Sequence, residues 1–383
     1  MNRLKFFLMS WLVPTLLLFT SSSCQSDPAV PGEDDDRDII DWEEASFEMQ
    51  TGLNIGGWLS QTSTRQQSIE SFFTKGQVEK LAEWGFDHIR LPVDEKEIFD
   101  VNGEWTSNLK YIHDAISWCA EYNMRVILDF HILRSHYFND TQNMTLWSHT
   151  TEQDKFVELW KKISAEFSKY PNGLLAYELL NEPVPPAPDD WNHLSARLIA
   201  ELRALEPERM IVLDPAGHSS IGQLKNLTIP EGDPNIILSV HFYTPHLLTH
   251  YQAPWMDGLV NLTIPLHYPG QLVAQADVDT ITVQRHRDVV NYYNGIYNKD
   301  VLKARLQEAI DIGEQTGFQI HVGEIGCIDR TPKNVRDAWM KDVIAIFKEN
   351  NIAFDIWGYK ANFGLFDNAG TPKDQELIDI ITE

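Results

Sequence analysis

Two glutamates stand at the ends of apolar, strand-like runs: Glu182 in LLAYELLNEP and Glu324 in FQIHVGEIG. A pair of carboxyls is the minimum equipment for cleaving a glycosidic bond, one protonated to assist the leaving oxygen and one ionised to attack the anomeric carbon. Other runs end in polar or aromatic residues as well. They supply Arg90, Asp129 with His131, Asn181 beside Glu182, His241 with Tyr243, and Trp357. Taken singly, each has an ordinary structural reading: a satisfied ion pair, a core histidine, a packed indole. Together they suit one chemistry. Two close carboxyls drive one pKa up, while Arg90 and Tyr243 can hold the other down. Asn181, His131 and His241 can hydrogen-bond sugar hydroxyls or tune the acid, and Trp357 can stack on a sugar ring.

These groups need a scaffold that brings strand ends together. Eight apolar runs recur, near Gly52, Phe86, Met124, Leu174, Met210, Ile236, Phe318 and Ala353. Amphipathic stretches such as VEKLAEWG, YIHDAISWCAEYN, FVELWKKISAEFSKY and VRDAWMKDVIAIFKENN separate them. Near-continuous hydrophobic strands alternating with helices predict an α/β fold, a single (β/α)8 TIM barrel, whose chemistry sits at the C-terminal ends of the strands. Six of the eight runs deliver the residues named above to that rim. The interval from Thr244 to about Asp300 is long and rich in Pro, Tyr and Trp, and is expected to wall the substrate site.

At this point the chain resembles glycoside hydrolase family 5, the cellulase A family of retaining barrel glycosidases. The resemblance runs from about residue 50 to the end. It rests on IRLPV around Arg90, LDFH ending at His131, LLNEP at Asn181 and Glu182, HFYTP from His241, VGEIG around Glu324 and IWGYK around Trp357. It implies that Glu182 is the acid/base and Glu324 the nucleophile of a double displacement. Arg90, His131, Asn181, His241, Tyr243 and Trp357 would bind substrate or tune the pair. Neither a metal nor an organic cofactor is implied, and a metal reading of His131 and His136 lacks a helix of the HExxH type. The expected substrate is a β-linked glucan cleaved as by an endo-β-1,4-glucanase. β-Mannanase, xyloglucanase and β-1,3-glucanase activities are alternatives within the family, and a non-catalytic glycan-binding lipoprotein is an alternative outside it. Glu178 shares a strand face with Glu182 and is expected to be a buried carboxylate paired with Arg90 or His88. Trp58, Trp147, Trp191 and Trp255 are candidate sugar platforms, and Lys360 and Asn362 candidate substrate hydrogen-bonders.

The remaining composition sets bounds. A net charge of −25 argues against nucleic acid as a partner. Residues 1–23 carry Arg3 and Lys5, an apolar run from Phe6 to Phe19 and then small residues, followed by Cys24. This is the pattern of a lipoprotein signal, in which Cys24 becomes a lipid anchor to a bacterial cell envelope; the competing reading is ordinary secretion with Cys24 as a bystander. Residues 24–45, with DPAVPGEDDDRD, read as a disordered acidic and Pro-rich tether, and residues 46–383 as the catalytic domain. Cys119 and Cys327 are expected to be buried free thiols, and the protein a monomer.

Overall fold

The computed structural model describes residues 40–383. The expected signal segment and Cys24 therefore lie outside the described residues. Eight parallel strands close into a barrel: β1 (Thr51–Asn54), β2 (His88–Asp94), β3 (Arg125–Ile132), β4 (Leu175–Glu178), β5 (Ile211–Leu213), β6 (Ile236–His241), β7 (Gln319–Ile325) and β8 (Ala353–Ile356). Strand β8 closes the ring on β1 through Thr51↔Phe354 and Leu53↔Ile356. The expected TIM barrel is what forms.

Around it run α1 (Lys75–Glu83), α2 (Leu109–Glu121), α3 (Thr150–Phe167), α4 (Pro188–Leu205), α5 (Gln284–Tyr293), α6 (Lys299–Thr316), α7 (Lys333–Glu349) and α8 (Gln375–Thr382). Local chemistry sets their ends. Gln77 accepts from the Thr74 backbone N–H at 2.8 Å ahead of α1, and the Asn298 side chain accepts from Val301 N at the start of α6. Gly317, at φ 76°, stops α6 in the left-handed conformation.

One departure concerns the segment after β5. A helix was expected after every strand, but here there is one turn, Ala216–Ser219, and a short 3-10 stretch, Ile221–Asn226. The sequence DPAGHSSIG has too many Gly, Pro and Ser residues and no apolar period with which to build a helix. A second departure is at the domain start. Residues 40–45, assigned to the tether, reach the barrel: Ile40 N donates to Asn123 Oδ1 (3.0 Å) and the Trp42 indole to Ala120 O (3.3 Å).

Inside the barrel, side chains alternate inward along each strand and stack in layers. At the base Phe47 and Met49 plug the ring against Ile127, Ala176, Val212, Ile237 and Ala353. Above them lie His88, His321 and Asp355, all fully buried. His321 Nε2 is 2.6 Å from Asp355 Oδ2, and His88 reaches Asp355 at 3.3 Å and Asp87 at 2.5 Å. Gly52 leaves room for this cluster, since a Cβ there would collide with Asp355 and His88. The next layer up contains Arg90. Cys119 and Cys327 are buried and free.

The segment from Thr244 to Asp300 folds largely over apolar residues of its own, among them Leu247, Tyr251, Leu259, Leu266 and Leu272. Its first part borders the rim: Thr249 Oγ1 donates to Tyr243 O at 2.7 Å, and Trp255 packs on Phe363 with ring centres 6.0 Å apart.

Candidate active site

Arg90 organises the upper half of the barrel. Its Nε and Nη2 grip Glu178 in a fork, at 2.7 and 2.6 Å, while Nη2 also donates to Asn181 Oδ1 at 2.8 Å and lies 2.9 Å from Asp129 Oδ2. Nη1 donates to Asn54 Oδ1 at 2.8 Å and to Glu324 Oε1 at 3.3 Å. A fully buried guanidinium is tolerable only because its donors are met in this way. Glu178 is thus the expected buried carboxylate, and its partner is Arg90 rather than His88. Burial opposes its charge, yet Arg90 holds it below the usual carboxylate range. Asp129 goes the other way, pushed well up by burial in spite of Arg90. Its Oδ2 also faces His131 Nδ1 at 2.7 Å. Burial and Arg90 bring His131 down to about 4.

The two glutamates reach the rim by local irregularity in the backbone. Past the end of β4, Glu182 sits at φ 44°, a left-handed conformation that is strained for a residue with a Cβ. Between β6 and β7 the register slips: Val240 pairs with Val322, then His241 pairs with Glu324. Gly323 is the extra residue of this bulge, and bulges re-aim the side chains next to them. A Cβ on Gly323 would lie 2.7 Å from Ser239 Oγ.

The result is a compact acid pair. Glu324 accepts from Tyr243 Oη at 2.9 Å on Oε2 and from Arg90 on Oε1. His241 Nδ1 lies 2.9 Å from Glu182 Oε1 and 3.6 Å from Glu324 Oε2, so one imidazole bridges both carboxyls. Carboxylate oxygens of Glu182 and Glu324 and a nitrogen of His241 all fall within 4.8 Å of one another. So close an approach of one oxygen from each carboxyl fits a retaining pair, whose carboxyls sit about 5 Å apart, better than the wider gap of an inverting pair.

The charge preferences of the two carboxyls run against the roles expected from the sequence. Burial pushes Glu324 up, with Glu182 adding to the push and His241 and Arg90 opposing it. Burial works on Glu182 in the same sense, but the imidazoles of His218, 3.5 Å away, and His241, hydrogen-bonded at 2.9 Å, draw it well below the usual carboxylate range. The difference lies in the donors. Arg90 and Tyr243 carry their protons throughout the physiological range, whereas the hold on Glu182 depends on two imidazoles.

All eight residues selected from the sequence meet here. Contacts link Glu182 to His241, Glu324 to Tyr243 and Arg90, and Arg90 to Asn181. Through Asp129 the network reaches His131, which stacks on Trp357 at 5.6 Å between ring centres and 9° between planes. Several secondary candidates fall elsewhere. Trp58 and Trp191 are fully buried core residues whose indoles donate to Ile69 O and Asp214 O; Trp58 packs against Phe73 and Tyr111, and Trp191 sits on α4 with its indole turned to the end of β5. Lys360 is buried too, with Nζ donating to Phe72 O at 2.9 Å and lying over the Phe72 and Tyr359 rings. Asn362 contributes a backbone carbonyl to Asp329 N. Trp147 is half-buried, edge-on to His136, while Trp255 is 56 % exposed beside Phe363.

Three groups escaped the sequence reading. Asn54 ends β1 and Asp214 follows β5, so the rule that found the other strand ends would have found both. His218 lies on the turn after β5, 3.5 Å from Glu182 Oε2, and no spacing in the sequence points to it. Among the described residues, two triplets have the geometry to approach a cation, Glu182/His241/Glu324 and His88/His321/Asp355. In each, the donor and acceptor atoms already face one another.

The sequence model of the cellulase family, glycosyl hydrolase family 5, matches residues 48–363. Endoglucanase C of Acetivibrio thermocellus is 30% identical over 337 residues, spanning 87% of this chain and 97% of that protein. Cellodextrinase A of Ruminococcus flavefaciens is 24% identical over 86% of this chain and 92% of its own length. Among solved structures, a hyperthermophilic endoglucanase of Thermotoga maritima superposes with a TM-score of 0.70 at 20% identity, covering 89% of this chain and all of that one.

Proposed function

The chain belongs to the cellulase family, glycosyl hydrolase family 5, and from that premise we propose that it is an endo-β-1,4-glucanase using Glu324 as nucleophile and Glu182 as acid/base. In the first step a Glu324 oxygen bonds to the anomeric carbon while the glycosidic C–O bond breaks and Glu182 gives its proton to the leaving oxygen. In the second, Glu182 takes a proton from water, the resulting hydroxyl bonds to the anomeric carbon, and the Glu324 ester oxygen leaves. Configuration is retained. The observation that carries this reading is the separation of the two carboxyls, within 4.8 Å, with Tyr243 and Arg90 on the one that must attack. His131 and Trp357, stacked side by side, would shape the floor for a sugar ring, and Asn181 is placed beside Arg90 to meet a hydroxyl. No step calls for a metal or an organic cofactor.

The relatives named endoglucanase support β-1,4-glucan as substrate. A polysaccharide panel tests this: carboxymethylcellulose should be cleaved faster than glucomannan, xyloglucan and laminarin, with a spread of product lengths from internal cuts. Faster cleavage of any of the other three would displace the substrate assignment. A 2-fluoro glycoside should label Glu324, and the Glu324→Ala variant should bind glucan without cutting it. If wild type also binds without cutting, the protein is a glycan-binding lipoprotein instead.

The sequence features around Cys24 support secretion with a lipid anchor. Lipid incorporation that is lost in Cys24→Ser would bear this out; release of the wild-type protein into the medium without lipid would refute it.

A further inference from the structure

His218 lies 3.5 Å through Nδ1 from Glu182 Oε2, the carboxyl oxygen that His241 leaves free. The two imidazoles differ in access: the His241 side chain is 4 % exposed and that of His218 50 %. His218 therefore reaches the acid from the solvent side, and His241 from the side of Glu324. Its backbone is unusual as well. Gly217, His218 and Ser219 are consecutive left-handed residues, with φ of 71°, 60° and 51°. Such a conformation is strained at each residue with a Cβ and persists only where surrounding contacts impose it. Here Gly217 N donates to Pro183 O at 2.8 Å, which ties the turn to the residue next to Glu182. Ser219 is buried. A strained turn thus presents one imidazole to one carboxyl oxygen.

We propose that His218 is a positioning residue for the acid/base: its imidazole holds Glu182 Oε2 in the free enzyme, and when the leaving-group sugar takes the place of the imidazole, Glu182 takes up from solvent the proton that it then gives to the leaving oxygen. This rests on the assignment of Glu182 as acid/base. Because His241 occupies Oε1, Oε2 is the oxygen open toward a leaving group. Other titratable groups act on Glu182 from the surrounding elements: Glu324, His241, His131, Tyr243, His136, His246 and His250, of which burial and Arg90 bring His131 down to about 4. Burial pushes His136 and His250 down to about 3, so these two are neutral at working pH and cannot replace His218; burial lowers His246 as well. Without His218, Glu182 faces the repulsion of Glu324 with His241 alone to offset it, and keeps its proton to higher pH.

The test is the pH profile of kcat/KM for wild type, His218→Asn and His218→Gly; both substitutes accept the left-handed backbone. On cellotetraose the alkaline limb, which marks loss of the acid's proton, should move up by about one pH unit in the variants. On a dinitrophenyl cellobioside, whose leaving group needs no proton, no such displacement should occur. An alkaline limb that stays put or moves down on cellotetraose overturns the proposal, since loss of a merely structural contact would lower rates without moving it. Wild type supplies an independent measurement: cellobiose should shift the NMR resonances of the His218 ring nitrogens, and unshifted resonances are also fatal. Wild type that cleaves no β-glucan sinks the reading of the site itself, whereas an active wild type with an unmoved limb sinks this inference alone.

Discussion

Tyr243 gives Glu324 one neutral hydrogen bond, at 2.9 Å, whereas Arg90 shares its charge among Glu178, Asp129 and Glu324. The phenol is therefore the donor that belongs to Glu324 alone. In Tyr243→Phe the ionised carboxyl loses that donor, so Glu324 should take up a proton at higher pH. A hydrogen bond to a charged group contributes about 1.5–3 kcal/mol, which corresponds to an upward shift of about one to two units in the acid limb of kcat/KM. An unchanged acid limb would mean that Tyr243 does not set the nucleophile's charge. The types of these residues were legible in the sequence because strand-end polar groups stand out against apolar runs. The role of Glu178 was legible too, from two-residue alternation with Glu182. Trp58, Trp191 and Lys360 were not, since a motif says nothing about which way an aromatic or a lysine turns once it leaves the strand.

Irregular backbone does the aiming. Strand β7 would point Glu324 elsewhere if it paired evenly with β6, but the extra residue Gly323 shifts the register between Val240 and His241. A Cβ at that position would press on Ser239 Oγ at 2.7 Å and come within 3.5 Å of His241 Nε2. Gly323→Ala should therefore displace His241 and lower kcat by about a hundredfold, with a stability loss of about 1–3 kcal/mol. Steady-state kinetics and a thermal melt separate the two effects; full activity in a folded variant would show that the bulge does not place the carboxyl. The missing helix after β5 is the other local irregularity, and it frees the turn that carries His218. Composition made its absence readable, because DPAGHSSIG contains breakers and no apolar period. The nearness of His218 to Glu182 depended on the closure of β4 and β5 side by side.

The whole barrel carries a buried ion cluster beneath its catalytic layer. Burial works against the charge on His88, but Asp355 and Asp87 overcome it and carry the imidazole up to about 10. Asp355 is held well below the usual carboxylate range, with His88 and His321 outweighing burial. A histidine raised on folding adds stability in full below its ordinary value, 6.5, and that share is lost as the pH climbs toward 10. Removing one partner of a buried pair costs about 3–5 kcal/mol, so His88→Asn should melt well below wild type at pH 6. The gap should narrow steadily toward pH 10. A gap of constant size across that range would mean that His88 is neutral in the folded protein.

From the order of residues alone came the barrel, the rim at which it does chemistry, and the eight groups gathered there. Each of these follows from a local regularity: apolar runs alternate with amphipathic ones, and parity along a strand sorts its residues inward or outward. Closure in space supplied the rest. It paired Arg90 with Glu178, set His218 against Glu182, turned Trp58 and Trp191 into the core and docked residues 40–45 on the barrel. Those outcomes depend on which strands become neighbours and on where single residues break the regular backbone, and such contacts between distant segments leave no periodic trace along the chain.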